Sequence, residues 1–577
     1  MTLAAREAVV TGVTGAGAEP RTYPASVGSE VLLDGGVVTR CRRRVHLEHE
    51  PTVRAVPKAP PDPGVEQRIA DAAEHRRALA DKLGRLLGSD WTEIPRDASV
   101  HSRERATLAA MRAAAPYISG AQLPCDTTGG RRGAVDVLVR SADGYVPLLV
   151  VRHKVTDPGR GARTSPLTDP LPESARVDPL RKGRAQSRDQ LRLAHSVRLL
   201  QACGMSASGR VVGGVIGADA DVVLWHDLQA PSWSGGRSVL SEYDERFADR
   251  LAVAGAAASE AEPLARPSRI SDCKGCPWWP VCAQELHATR DVSLVVRGED
   301  AVLLRRAGVS TVDELAEVTP DVAEALPLAA TRTSDAVLLA KAWLRDLSLV
   351  RRVPHLDVPR ADVEIDVDME SYADSGAYLW GCWLSRTDTA TDSGFDEAEG
   401  YRSFATWDPL PSDDEARSFA EFWSWFTAVR DRAHDRGLSF RAYCYNELAE
   451  NRWMLASAER FAGKPGIPTV DEVREFIDSD EWVDLFATVR DQFLCPNGRG
   501  LKVIAPNAGF SWRDAEAGGE NSMRWYRDAV GLDGAAPSES QRRRLLQYNE
   551  DDVRATLAIR RWMTTEAEHR VPYVGDL

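Results

Sequence analysis

Residues 364–370 read Glu-Ile-Asp-Val-Asp-Met-Glu, and this alternation of acidic and apolar side chains predicts a β-strand. Working outward, Ala-Tyr-Leu-Trp-Gly-Cys-Trp-Leu-Ser at 377–385 predicts a second strand, and residues 418–437 repeat their apolar positions as a helix does, ending at Gly437. Phe-Arg-Ala-Tyr-Cys-Tyr at 440–445 is a further strand candidate. A long final helix should begin near Ser538, where Ser538-Glu-Ser-Gln541 fits a capping box. Period two places Asp368 and Glu370 on one face of the first strand. Two carboxylates held together repel unless a cation lies between them, and Mg²⁺ suits oxygen ligands. A lone Asp-x-Glu is more often a solvated strand face, so the pair needs company to carry chemistry. Tyr548 and Asp552, four apart on the final helix, share a face. Asn446-Glu-Leu-Ala-Glu450 lies at a strand-to-helix junction between them.

The chain has 577 residues, which at roughly 100–200 per domain fits about three domains. A composition 43% hydrophobic and 27% charged is globular and excludes a mostly disordered chain. A formal net charge of −14 excludes a wholesale basic coat for nucleic acid, though not a local basic groove. Charge is uneven: residues 361–400 carry eleven Asp/Glu and one Arg, whereas residues 151–200 carry eleven Lys/Arg and five Asp/Glu. The acidic window suggests metal ligation and the basic one phosphate contact. No apolar run approaches the ~20 residues of a membrane span. The start lacks a signal-peptide core, so a cytoplasmic protein is expected. Nine cysteines are too sparse for a disulfide scaffold, and in a reducing compartment clustered ones read as metal ligands.

An acidic pair on a strand, an acid after Asn-x-x-x and Tyr-x-x-x-Asp on a late helix resemble the DEDD exonucleases of the ribonuclease H fold, in the subtype with a tyrosine in the last motif. The resemblance implies that Asp368, Glu370, Glu450 and Asp552 ligate two Mg²⁺ or Mn²⁺ ions and that Tyr548 orients the attacking water. The chain departs from the family in one place, with Glu450 where Asp is usual. Glu447 is a weaker candidate for that role, and Asp484 reads as a structural cap.

Cys273-Lys-Gly-Cys276-Pro-Trp-Trp-Pro-Val-Cys282, with Cys41 far upstream, resembles the iron–sulfur RecB-like nucleases. Four thiolates there would hold a [4Fe–4S] cluster, with zinc and unligated thiols as the other readings. That family's metal site implies His75 on a helix, Asp136 on a strand and Lys154 on the next. The expected carboxylate two before the lysine is Arg152, a cation in an acid's place, so the RecB-like site is expected to be degenerate. The runs at 134–139 and 146–151 predict a hairpin, 156–180 a loop and 181–203 a helix. On that helix Arg181, Arg184, Arg188, Arg192 and Arg198, with His195 between, would form one basic face for nucleic acid. Arg40 and Arg42–Arg44 would extend it. Leu304–Ala316 resembles a helix-hairpin-helix, or a plain helical connector.

Taken whole, the chain resembles the bacterial family of RecB-like nucleases with a ribonuclease H-like C-terminal domain. The expected fold is α/β: a flexible leader at 1–28, a restriction-endonuclease-like RecB-type domain at 29–290 closed by the cluster, a helical connector at 291–355 and a ribonuclease H-like domain at 356–577. The expected activity is a metal-dependent 3′→5′ exonuclease on DNA, with the RecB-like domain mainly binding DNA. The alternatives are a catalytically silent iron–sulfur scaffold that binds nucleic acid, and an exonuclease acting on RNA. No membrane partner is expected.

Overall fold

The computed structural model describes residues 31–577 apart from Pro57, Pro61, Asp62, Ala325, Pro327 and Asp533, so the leader expected at 1–28 lies outside the described residues. The chain divides into two compact units, one of residues up to Pro57 with Ala72–Arg266, the other of Lys58–Asp71 with Pro267–Leu577. No described helix is long and apolar enough to cross a membrane.

The first unit is built on a mixed sheet. Its strands are β1 (Trp91–Glu93), β2 (Tyr117–Asp126), β3 (Arg131–Ser141), β4 (Gly144–Val150), β5 (Arg163–Pro166), β6 (Arg176–Val177), β7 (Val212–Ile216) and β8 (Val222–Asp227), in the order β1-β2-β3-β4-β7-β8-β5-β6. The hairpin expected at 134–151 is β3–β4, its turn made with Ala142 at φ 51°. Helix α1 (Pro63–Leu87) carries His75, and α2 (Ser187–Ala202) and α3 (Val239–Ala258) bury Leu191, Val197, Tyr243 and Phe247 in one core with sheet residues Leu149 and Val215.

Three expectations need correction here. Residues 156–180 are not a plain loop: they hold β5, β6 and Thr156–Pro158, which pairs with Arg181–Gly183. That ribbon consumes the start of the helix expected at 181–203, so α2 begins only at Ser187. The boundary expected at 290 falls at Arg266/Pro267. The reason is a buried cluster of Leu286, Val292, Leu294, Leu304, Leu315 and Ala340, which ties the segment after the cysteines to the short helices Glu299–Arg306, Val312–Ala316 and Thr333–Leu344. Cys273, Cys276 and Cys282 therefore pack with the second unit, while Cys41 belongs to the first.

The second unit centres on a sheet of β9 (Val363–Tyr372), β10 (Gly376–Arg386), β11 (Gly400–Ala405), β12 (Phe440–Cys444) and β13 (Trp482–Asp484) in the order β11-β10-β9-β12-β13. Strands β9, β10 and β11 are antiparallel to one another, β12 pairs parallel with β9, and β13 pairs parallel with β12. Helices α4 (Asp414–Asp435), α5 (Leu448–Arg460), α6 (Leu501–Ile504), α7 (Gly519–Val530) and α8 (Glu539–Thr565) complete the unit.

The alternation in β9 now has its explanation. Val363, Ile365, Val367 and Met369 point into a core with Trp380 and the aromatic stripe Phe419, Phe422 and Phe426 of α4; the Trp380 and Phe422 rings stack at 4.8 Å. The four acids Glu364, Asp366, Asp368 and Glu370 take the opposite face, which α8 covers. Ser538 caps α8 by accepting the Gln541 N–H, whereas the Gln541 Oε1 is buried without a hydrogen-bond partner among the described residues, so only half of the expected capping box forms.

Candidate active site

One strand face carries four acids, and α8 treats its two ends differently. At one end Arg560, with no exposed surface, satisfies the charges: its guanidinium pairs with Glu364, and Nη2 lies 2.6 Å from Asp366 Oδ2. Arg360 and the Tyr443 hydroxyl also donate to Glu364. At the other end Asp368 and Glu370 face Asp552, two turns before Arg560, with no arginine between. Ligand oxygens of Asp368, Glu370 and Asp552 all lie within 4.8 Å of one another, and among the described residues this is the one group of three or more such side chains. Three convergent carboxylates are the donor set a hard divalent cation takes.

Neutral donors orient each acid. Asn549 Nδ2 donates to Asp368 Oδ2 at 2.8 Å and is itself held by the Tyr401 hydroxyl at 2.7 Å. The Ser522 hydroxyl donates to Glu370 Oε2 at 3.0 Å. Tyr378, the extra residue of a bulge where the β9–β10 register shifts after Glu370, adds a longer bond at 3.4 Å. Trp512 Nε1 donates to Asp552 Oδ1 at 2.6 Å. Lys502 of α6 stands over the Tyr548 ring, 4.9 Å from its centroid, and over Trp512 at 5.5 Å, and it attracts all three acids. Such outer partners leave lone pairs of the acids for a metal.

The electrostatics agree. Burial, then the neighbouring charges of Asp552, Glu370 and Glu450, holds the Asp368 carboxyl well above its usual range, and Glu370 is pushed up to about 8 by burial and Asp552. Asp552 is raised by burial, with Lys502 opposing. Carboxyls that hold protons near neutral pH must release them to bind a cation. Metal affinity should therefore rise with pH through about 8, and the thermal stabilisation by Mg²⁺ should be larger at pH 8.5 than at pH 6. In the metal-free protein the same groups bind more protons folded than unfolded, so their contribution to stability falls as pH rises from the unfolded value toward 8. Thermal melts at both pH values, with and without Mg²⁺, check both signs.

Glu450 sits in the first turn of α5, 5% exposed, after Asn446 in the left-handed conformation at φ 76°. It lies outside the close group, although its charge is felt by Asp368. Its Oε2 is buried with no hydrogen-bond partner among the described residues, and burial with Asp484 and Glu370 pushes it up to about 8. Asp484 caps the helix after β13 and accepts the Asn446 N–H at 2.8 Å, the structural part expected of it. Tyr548, 5% exposed, presents its hydroxyl to Asp552.

Gly381 lies opposite Asp368 on β10, where a Cβ would overlap the Asn549 Oδ1. Gly381→Ala is expected to drive Asn549 off Asp368 and to weaken metal binding or turnover by roughly 10–100-fold, the usual cost of an outer-shell loss. Calorimetric metal titration reads it, and unchanged affinity and rate would show that Asn549 does not orient Asp368.

The first unit gathers no comparable group among its described residues. His75 is half-buried on α1 and disfavours protonation through burial, with Arg152 and Arg76 adding repulsion. Asp136 on β3 accepts the Val150 N–H, with Arg76 3.9 Å away. Arg152 and Lys154 follow β4, both partly exposed, so Lys154 lies past the end of the strand expected to carry it. The single basic face is corrected. Arg181 lies in the short ribbon and pairs with Asp178 and Asp221, Arg184 pairs with Asp157, and Arg198 pairs with Asp244. His195 is buried, bonded to the Tyr243 hydroxyl at 2.7 Å. Arg188 is exposed and Arg192 partly so. Arg40 and Arg42 pair with Asp34 and Asp249, and Arg44 with Glu48.

A family model of the RNase_H superfamily matches residues 463–564. The match supports a ribonuclease H-like C-terminal domain and points to nuclease-type chemistry. It spans Lys502, Trp512, Ser522, Tyr548, Asn549 and Asp552, while Asp368, Glu370 and Glu450 lie before it, and Asp368 and Glu370 meet Asp552 only through the fold. No curated protein and no solved structure matches the chain.

Proposed function

We propose that the second unit is a divalent-metal-dependent 3′→5′ exonuclease acting on DNA, with Mg²⁺ or Mn²⁺ held by Asp368, Glu370 and Asp552 and with Glu450 able to enter once a cation or substrate arrives. The observation that carries this reading is the convergence of three buried or half-buried acids, each oriented by a neutral donor, within a region bordering and overlapping the RNase_H superfamily match. When bound, divalent ions supply an activated water and a counter-charge for the leaving oxygen. The protein's own groups do the positioning. Asn549, Ser522 and Trp512 hold the ligand carboxylates, the Tyr548 hydroxyl points at Asp552 where it can orient the attacking water, and the Lys502 ammonium balances charge until a cation takes over.

The first unit is proposed to be a degenerate RecB-like domain, given Arg152 in the acid's place. The segment Cys273–Cys282 is proposed to contribute to a [4Fe–4S] cluster, as its spacing and resemblance imply. Iron and sulfide analysis of anaerobically purified protein tests the cluster, and stoichiometric zinc without iron would overturn it.

Incubation with 3′- and 5′-labelled single- and double-stranded DNA and RNA, with Mg²⁺ or Mn²⁺, tests the activity. Mononucleotides released from the 3′ end of DNA are the expected products. Release from RNA alone would move the substrate class, and no hydrolysis of any strand would overturn the enzyme reading in favour of a silent scaffold.

A further inference from the structure

A cavity of about 630 Å³ in the second unit is lined by the start of the helix Thr333–Leu344 and by residues around the segment 490–499. Arg332, Arg352, Arg490 and Arg499 face it, against only Asp335 and Asp491. Arg352 is committed to Asp335 at 2.5 Å and Arg490 to Asp491 at 2.7 Å. Arg332 and Arg499 are exposed and bring the remaining positive charge. Burial pushes the Cys495 thiol in the cavity wall up to about 12, while Arg499 and Arg352, close enough to be felt there, pull the other way. In a chain of net charge −14 such a concentration of arginine is an exception that calls for an anionic occupant.

The cavity is continuous in sequence with the acidic site. Arg499 precedes Lys502 by three residues, and the Tyr445 hydroxyl donates to the Arg499 carbonyl at 2.6 Å, pinning that turn to the strand that leads into Asn446 and Glu450. A polynucleotide with its end at the carboxylates carries one phosphate per nucleotide and needs cations along its path. We propose that the arginine-lined cavity binds backbone phosphates of the strand whose end is cut, so that it acts as the grip that holds a polynucleotide at the acidic site. This rests on the hydrolase reading above.

Of the arginines expected on one basic face, Arg181, Arg184 and Arg198 are paired with Asp178, Asp221, Asp157 and Asp244. The guanidinium forks of Arg332 and Arg499 suit bidentate phosphate contact.

The test compares the full chain with Arg332→Gln/Arg499→Gln, both in an Asp552→Asn background that does not cut. Fluorescence anisotropy of a labelled single-stranded oligonucleotide is followed across a salt titration. Loss of two phosphate contacts should lower the salt slope by about 1.4 and weaken binding roughly 25-fold at 0.1 M salt. With Asp552 intact, the double variant should hydrolyse bis(p-nitrophenyl) phosphate, too short to reach the cavity, at the unaltered rate, which shows that the fold and the acids survive. Unchanged affinity and slope would overturn the proposal, as would equal losses on the small diester and the oligonucleotide. If the wild-type chain itself hydrolyses neither substrate, the hydrolase reading falls, and that outcome is separate from a slope that does not move.

Discussion

Asp552→Asn should abolish metal-dependent hydrolysis, with a loss on the order of 10⁴–10⁶-fold, the scale seen when a member of a catalytic constellation that acts as a unit is removed. The substitution keeps the shape and the bond from Trp512 Nε1 to Oδ1, while removing the charge and one acceptor oxygen. Asp552 lies within 4.8 Å of both Asp368 and Glu370, and its charge is the leading electrostatic repulsion on each. The variant should therefore melt higher than the wild type without metal, yet gain less from Mg²⁺. That pairing distinguishes a lost ligand from a damaged fold. Lys154→Ala, in the unit where no such acidic group assembles among the described residues, should leave the rate unaltered. An Asp552→Asn enzyme within about tenfold of wild type, beside an inactive Lys154→Ala, would place catalysis in the first unit and sink the proposed function.

Arg560→Met is expected to produce the largest loss of stability, about 3–5 kcal/mol, because it strands the fully buried Asp366 and leaves Glu364 with Arg360 as its remaining cation. Glu364 and Asp366 are 3% and 0% exposed, and Arg560 is the cation between them. Calorimetric unfolding reads the effect, and a shift below about 1 kcal/mol would mean that the acids take protons in place of the arginine at little cost. The two acids titrate differently. Donors from Arg360, Arg560 and Ala361 overcome burial and depress Glu364 to about 2, whereas burial raises Asp366. A depressed carboxyl contributes stability above its unfolded value near 4.5, which is lost as pH falls toward 2. The wild type should lose that part on acidification, and Arg560→Met should already lack much of it.

The acidic group of the second unit was largely legible in the sequence because its signals are local. Period-two alternation placed Asp368 and Glu370 on one face, and four-residue spacing placed Tyr548 and Asp552 on another. Each is a property of a single element, fixed by backbone geometry. The partners that orient the acids left no such trace. Asn549, Ser522, Trp512 and Lys502 come from separate helices and a loop, and Gly381 matters only because Asn549 must pass close to β10.

The first unit shows the opposite balance. Arginines at three- and four-residue steps predicted one basic face, but a periodicity argument holds only while the residues share a helix. Pairing of Thr156–Pro158 with Arg181–Gly183 ends that condition, and aspartates distant in sequence neutralise Arg184 and Arg198. The same holds for the boundary at Arg266/Pro267, set by apolar contacts among residues 286–340 that composition does not reveal. Side-chain periodicity and charge type were thus decided by the order of residues alone, since they depend on neighbours within one element. Tertiary structure decided which of four acids on β9 are neutralised and which are left for a cation: Arg560 reaches Glu364 and Asp366 and stops there, two turns of α8 away from Asp552.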